Sequence, residues 1–162
     1  MYSVEWTADI YFEAAKEHLA TAEFLFDRGA EIQSQDGYAD NRYFYAHYWA
    51  GIAIECMLRA YQKRMNSTEW DGRHDLMKLY RDAFGTIVPD IRKEEISSAL
   101  TDVMRRWHSS DRYSTSEGLR RYLYARRFDT GAKGGELKKN ARILVNAARS
   151  IVGLGGKKWQ YL

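Results

Sequence analysis

Residues 41–61 constrain the fold most, because they are the most apolar and aromatic part of the chain and yet contain three ionisable side chains. His47, Glu55 and Arg59 are spaced by multiples of four residues there, with Gly51 between the first two. This spacing places them on one face of an α-helix, with Glu55 and Arg59 in the favourable order for an ion pair. The rest of the helix is apolar enough for a core, so its polar face must meet a partner or a ligand.

Helical periodicity dominates the remainder of the chain, and there is no sustained alternation typical of strands. We therefore predict an all-α fold, an up-and-down antiparallel bundle of four longer helices plus short helices. A chain of 162 residues forms one domain, residues 1–162, with a core over about 7–153 and a mobile glycine-rich tail at 154–162. The longer helices are expected at about 7–28, 42–64, 89–108 and 136–153, with Thr7 as the N-cap of the first, a stop at Gly29, and Asp40 or Asn41 as the cap of the second. Short helices are expected at about 74–84 and 116–128, with a break at 109–115 between helices. The second helix has a buried apolar stripe of Ala46, Ala50, Ala53, Met57 and Tyr61.

Several function classes are disfavoured by what the chain lacks. The single cysteine, Cys56, excludes an internal disulfide, and no Cys or His pairs stand at metal-ligand spacing, so we predict no metal site. No glycine-rich loop fits a phosphate-binding fingerprint, and we predict no cofactor. The longest apolar run, 43–54, is too short to cross a bilayer, and the acidic start lacks an apolar signal core. We expect a cytoplasmic protein that does not enter a membrane.

Charge is divided unevenly along the chain. Residues 1–100 hold 11 Lys and Arg against 17 Asp and Glu, a net charge of −6, whereas residues 101–162 hold 14 against 5, a net charge of +9. The basic half favours a polyanionic partner, unless the two halves fold together and neutralise each other. Arginines and aromatic residues alternate there as in surfaces that grip phosphate and stack on bases: Arg105, Arg106, Trp107, Arg112, Tyr113, Arg120, Arg121, Tyr122, Tyr124, Arg126 and Arg127, followed by Lys138, Arg142 and Arg149.

A second polar group stands at residues 73–76, Arg-His-Asp-Leu, where a short helix begins. Asp75 suits the first turn of that helix, because a carboxylate there interacts favourably with the helix dipole. His74 is expected either to cap the short helix or to hydrogen-bond back to the second helix. Gly51 admits two interpretations as well, since it permits either the approach of a ligand or close packing of another helix.

These residues resemble the HEPN family (higher eukaryotes and prokaryotes nucleotide-binding). The resemblance is carried by the helix AHYWAGIAIECMLRAY at 46–61, the following RHDLMKLY at 73–80, DRY at 111–113 and the final amphipathic helix, and it covers most of 7–153. It implies an all-α bundle that forms a homodimer. It also implies one of two roles: a ribonuclease toxin or defence effector, or a nucleotide- or RNA-binding companion of a minimal nucleotidyltransferase or antitoxin.

Active members of the family use an Arg-x(4–6)-His motif, and Arg42 and His47 match it. His47 would act as general acid or base on a ribose hydroxyl, and Arg42 would stabilise charge on the phosphorus, without a metal ion. However, positions five apart on one helix diverge by about 140°. The family places the motif on a later helix, where no Arg stands four to six residues before His108.

Three hypotheses follow. The first is a binding module without robust catalysis, which takes RNA, a nucleotide or a nucleotidyltransferase at an interhelical cleft. The second is a ribonuclease with Arg42 and His47 as catalytic residues, and the third is a purely structural dimeric bundle. The cleft of the first hypothesis is lined by His47, Glu55, Arg59, His74, Arg112 and Tyr113.

Overall fold

The computed structural model describes residues 6–28, 42–65, 74–128 and 135–162, and all regular secondary structure in these ranges is helical. The prediction of an all-α bundle is confirmed, and the described residues include no strand. Four helices are long and two are short, as predicted. They are α1 (Ala8–Asp27), α2 (Arg42–Met65), α3 (Leu76–Asp82), α4 (Asp90–Arg106), α5 (Ser116–Ala125) and α6 (Gly135–Trp159), with 3₁₀ helices at Phe84–Thr86 and Ser109–Tyr113.

Cross-helix contacts give the direction of each long helix. His18 of α1 stacks on Trp49 of α2, and Phe26 at the end of α1 meets Tyr43 at the start of α2, so these helices are antiparallel. The helix α6 is also antiparallel to α1, and α4 is antiparallel to α6. The supporting pairs are Phe12 with Trp159, Asp27 with Arg149, and Arg106 with Asn140. The long helices therefore alternate in direction along the chain, as predicted.

The start of each helix follows the capping chemistry of its sequence. Thr7 accepts a hydrogen bond from the Ile10 backbone N–H and is the N-cap of α1, as predicted. Asp75 is the N-cap of α3 rather than a residue of its first turn, and its carboxylate accepts from the Lys78 N–H at 3.0 Å. Pro89 immediately precedes α4, where a missing N–H leaves no helical hydrogen bond unmade.

Helix α2 is the centre of the core. Its predicted apolar stripe is fully buried, which confirms that prediction. The opposite side of the helix is also covered, since α1 and α6 both pack on α2 and the segment around Trp107 closes over Gly51. The buried stripe consists of Ala46, Ala50, Ala53, Met57 and Tyr61.

The predicted mobile tail at 154–162 is wrong, because α6 continues to Trp159. Trp159 is buried and stacks on Phe12, with ring centroids 4.5 Å apart. The Tyr61 hydroxyl donates to the Gly155 carbonyl at 2.7 Å. The glycines were interpreted as a break, but Gly155 is an interior packing position: a Cβ there would overlap Met57 and approach Phe84.

Smaller boundary errors have local causes. Helix α4 ends at Arg106 instead of 108, because Trp107 turns to extended backbone, and α5 ends at Ala125 instead of 128. The predicted break at 109–115 contains a 3₁₀ helix that begins with a capping box between His108 and Asp111. The predicted caps Asp40 or Asn41 and the stop at Gly29 lie outside the described residues.

Among the described helices, none has the length and apolar character that crossing a bilayer requires.

The packing of α6 predicts opposite effects for two glycines of one helix. Gly155→Ala places a methyl group against Met57, which is fully buried, and we expect the free energy of unfolding to fall by about 1–3 kcal/mol. Gly153→Ala meets nothing within 4 Å, so it should raise the free energy of unfolding by about 0.5–1 kcal/mol. Urea unfolding of both variants measures this. Equal effects would show that the end of α6 does not pack as described.

Candidate nucleic-acid interface

The polar face of α2 contains a hydrogen-bonded group centred on Glu55. Its Oε1 accepts from Arg59 Nε at 2.7 Å and from His74 Nδ1 at 2.7 Å. The Glu55 and Arg59 side chains are 8% and 5% exposed, whereas His74 is 43% exposed. This confirms that Glu55 and Arg59 pair and that His74 reaches back to α2. These hydrogen bonds hold the start of α3 against the middle of α2. They also offset the free-energy cost of burying the Glu55 carboxylate.

The second oxygen of Glu55, Oε2, is buried and has no hydrogen-bond partner among the residues that are described. His74 faces the other oxygen, Oε1, through its Nδ1, and its side chain is partly exposed. These three side chains are the part of the predicted ligand site that the structure brings together. Their role in binding a ligand stays a prediction.

His47 lies in a different environment, two turns earlier on α2. It is fully buried, and neither ring nitrogen has a hydrogen-bond partner within the described part of the chain. Desolvation lowers the pKa of His47 to about 3; the Arg106 backbone slightly favours the protonated ring, and the Arg106 charge disfavours it. The imidazole is therefore neutral at physiological pH.

Gly51 permits the close packing that encloses this part of α2. A Cβ at that position would overlap the indole of Trp107, which is itself buried. Of the two interpretations of Gly51, the structure supports close packing, since the space beside it is filled by Trp107 and not by an open cleft.

The predicted catalytic pair is not poised for reaction in this arrangement. The Arg42 guanidinium bonds to the Tyr43 hydroxyl at 2.9 Å and lies over the Tyr43 ring. His47 has no exposed surface, whereas a general acid or base must touch the ribose. The catalytic roles of Arg42 and His47 stay a prediction that would require α2 to be uncovered.

Two other predicted residues, Arg112 and Tyr113, belong to the second 3₁₀ helix, and their side chains lie outside the described residues.

A shallow cavity of about 260 Å³ lies between α4 and α6 and includes none of the predicted site residues. It is lined by Ala99, Asp102, Ile143, Asn146, Ala147 and Ser150.

A second hydrophobic cluster, separate from the main core, gathers the basic segments at one end of the bundle. Phe44 of α2 packs there with Leu119 and Leu123 of α5 and with Leu137 of α6. Three half-buried rings surround this cluster: Tyr43, Tyr122 and Phe128. Because these residues come from three helices, the cluster fixes where their basic side chains lie.

Each of the three surrounding rings carries a cation on its face. Lys138 lies over Tyr43 at 5.5 Å, Arg126 over Tyr122 at 4.8 Å, and Arg106 over Phe128 at 4.1 Å from the ring centroid. A fourth cation, Arg142, lies 5.9 Å from the Phe26 ring. A cation–π contact orients a cation without neutralising it, so this end keeps a positive charge.

Only some of the basic side chains predicted to contact a polyanion are neutralised. Arg121 pairs with Glu117, and Arg106 pairs with Asp102 at 2.8 Å. Where α4 and α5 end and α6 begins, six exposed cations form no ion pair with a described residue. We call them the basic end: Arg105, Arg126, Arg127, Lys138, Lys139 and Arg142.

Arg149 behaves differently from Lys138 and Arg142, with which it was predicted to form one basic strip. It bonds to Glu23 at 2.6 Å and to Asp27 at 2.9 Å, both on α1. The expectation that the acidic and basic halves neutralise each other is therefore correct for this part of α6, and the basic end is what remains uncompensated.

Most of the described aromatic rings of the basic half are already occupied, which was not predicted. Trp107 is buried, and Tyr122 and Phe128 are covered by cations of the same chain. The spacing of Tyr122 and Arg126, four apart on a helix, is a readable signal for such a contact. The pair of Arg106 and Phe128 leaves no local signal, because it joins the end of α4 to a residue beyond α5.

Among the described residues, no group of three or more His, Cys, Asp or Glu side chains is arranged to hold a metal ion. Compared with known proteins, the chain matches no family model, no curated protein and no solved structure.

The burial of His47 predicts a specific loss of stability in acid. The unfolded chain binds a proton at His47 near its ordinary pKa of 6.5, but the folded chain does so only near pH 3. The contribution of His47 to the free energy of unfolding should therefore fall by about 1.4 kcal/mol for each pH unit below 6.5. Urea unfolding of the wild type and of His47→Leu between pH 7 and pH 4 measures the difference.

His47→Leu removes the titrating group and keeps an apolar side chain in the same space. The stability of the wild type should fall relative to the variant across that pH range. Parallel pH profiles for the two proteins would contradict the prediction.

Proposed function

We propose that this protein is a HEPN-like module that binds RNA or a nucleotide through its basic end and does not cleave it. The observation that carries the proposal is the second hydrophobic cluster, which joins α5 to the start of α6 and whose Phe128 ring contacts Arg106 at the end of α4. This arrangement places six cations that form no ion pair with a described residue on the exposed surface of one end of the bundle. Such a surface is suited to phosphate, because each cation that contacts a phosphate releases a condensed counterion.

The arrangement of Lys138 and Arg142 strengthens the proposal. They stand four residues apart on α6, each exposed and each held over a ring of another helix. Contact with a ring limits the motion of a long side chain, so less conformational entropy is lost when it binds an anion. Charged side chains that only contact water would not need aromatic rings to limit their motion.

The alternative ribonuclease hypothesis receives no comparable support, because His47 is enclosed and neutral and Arg42 is engaged by Tyr43. The homodimer and the nucleotidyltransferase or antitoxin partner implied by the HEPN resemblance stay predictions.

Titration of a fluorescent single-stranded RNA at several salt concentrations tests the proposal. The wild type should bind at low salt, with an affinity that falls steeply as salt is added. Replacing both Lys138 and Arg142 with alanine should weaken binding and reduce the slope of log affinity against log salt by about 1.4, since each phosphate contact to a single strand contributes about 0.7.

Lys157 and Lys158 provide a matched control. They are two exposed lysines on the same helix, and Lys157 lies about 29 Å along α6 from Lys138. Replacing both with alanine makes the same change in net charge but should leave the salt slope unchanged. Equal effects of the two double variants would indicate a general charge effect and contradict a site at the basic end.

The RNA should remain intact during this titration. Cleavage by the purified protein that His47→Ala abolishes would support the ribonuclease hypothesis instead, whereas cleavage that persists in His47→Ala would indicate a contaminating nuclease.

A further inference from the structure

Tyr124 differs from the other aromatic residues near the second hydrophobic cluster. It lies in the last turn of α5 with 59% of its surface exposed. In the described part of the chain, its ring contacts neither another ring nor a cation, whereas Tyr43 and Tyr122 are both covered by cations. An exposed, uncovered ring at the basic end offers a face on which a planar group can stack.

Arg127, three residues later, has an unusual backbone. Its φ of 63° makes it the one non-glycine residue with positive φ in the described structure. The Phe128 N–H bonds to the Leu123 carbonyl at 2.8 Å and the Arg127 N–H bonds to the Tyr124 carbonyl at 2.9 Å, the pattern that ends a helix with a left-handed residue. Glycine is preferred at this position, because a side chain disfavours the left-handed conformation.

Stability alone does not account for an arginine there. A cation near the end of a helix interacts favourably with the helix dipole, but Arg126 already places one at the same end. Arg127 is exposed and forms no ion pair with any described residue. Arg127 follows Tyr124 by three residues, just beyond the end of α5.

We propose that Tyr124 and Arg127 form a subsite for one unpaired nucleotide, in which the base stacks on Tyr124 and the adjacent phosphate bonds to Arg127. This inference rests on the proposed function and specifies its ligand as single-stranded RNA. A base in a duplex is stacked on its neighbours and offers no free face, so a tyrosine platform selects the single strand.

The stacking role is tested with Tyr124→Ala and Tyr124→Phe in the same RNA titration. Tyr124→Ala removes the platform and should weaken binding of single-stranded RNA by about 5- to 100-fold. Tyr124→Phe keeps the ring and should bind within about twofold of the wild type, because stacking uses the ring face and not the hydroxyl. A wild type that binds duplex RNA of the same length as tightly as the single strand would overturn the subsite.

The phosphate role is tested with Arg127→Ala and Arg127→Gly, which remove the same charge but differ in backbone freedom. Both should reduce the salt slope by about 0.7 and weaken binding equally. Arg127→Gly should melt about 2–4 °C above Arg127→Ala, because glycine adopts the left-handed conformation more easily. Wild-type affinity in both variants would show that Arg127 only ends the helix, and would overturn its role.

The outcomes separate this inference from the proposed function. If replacing Lys138 and Arg142 weakens RNA binding while Tyr124→Ala and Arg127→Ala bind as the wild type does, the subsite is wrong and the basic end is retained. If the wild type binds neither the RNA nor a mononucleotide at low salt, both proposals are wrong.

Discussion

The burial of most of α2 is the constraint on which the rest of the structure depends. A central helix whose apolar stripe faces α1 and α6 still has to accommodate Glu55 and Arg59, which lie on its remaining face. Two buried charges are tolerated when each has a hydrogen-bonded partner. The ion pair within α2 and the bond from His74 meet that requirement, and in doing so they fix the position of α3.

Two glycines determine how closely other segments approach this central helix. Gly51 on α2 leaves room for the Trp107 indole, and Gly155 on α6 leaves room for Met57 and Phe84. A glycine within a helix lowers the intrinsic stability of that helix. At both positions, close packing against the neighbouring side chains offsets this loss. The enclosure of His47 is a consequence of the same close approach, since Trp107 covers α2 one turn away from it.

The second hydrophobic cluster has a different consequence, because it determines where basic side chains lie at one end of the bundle. Leu119, Leu123 and Leu137 hold α5 against the start of α6, and aromatic rings around them orient the cations of three helices. Ion pairs neutralise Arg106 and Arg149, but Lys138 and Arg126 form none with a described residue. Contacts with rings leave the charge available, so apolar packing rather than acidic partners determines where the chain remains positive.

The sequence by itself determined the fold class, the alternation of four long helices, the buried stripe of α2 and the pairing of Glu55 with Arg59. All of these follow from helical periodicity and from interactions within one or two turns. The end of α6 could not be predicted in this way, because whether Gly155 breaks a helix or packs against Met57 depends on a residue almost a hundred positions away. Only the tertiary structure decided that His47 is enclosed and that most rings of the basic half are covered. The site at the end of α5 has a mixed origin: the spacing of Tyr122 and Arg126 indicates that Arg126 covers the Tyr122 ring, but only the tertiary structure leaves the Tyr124 ring exposed, because exposure depends on which segments pack there.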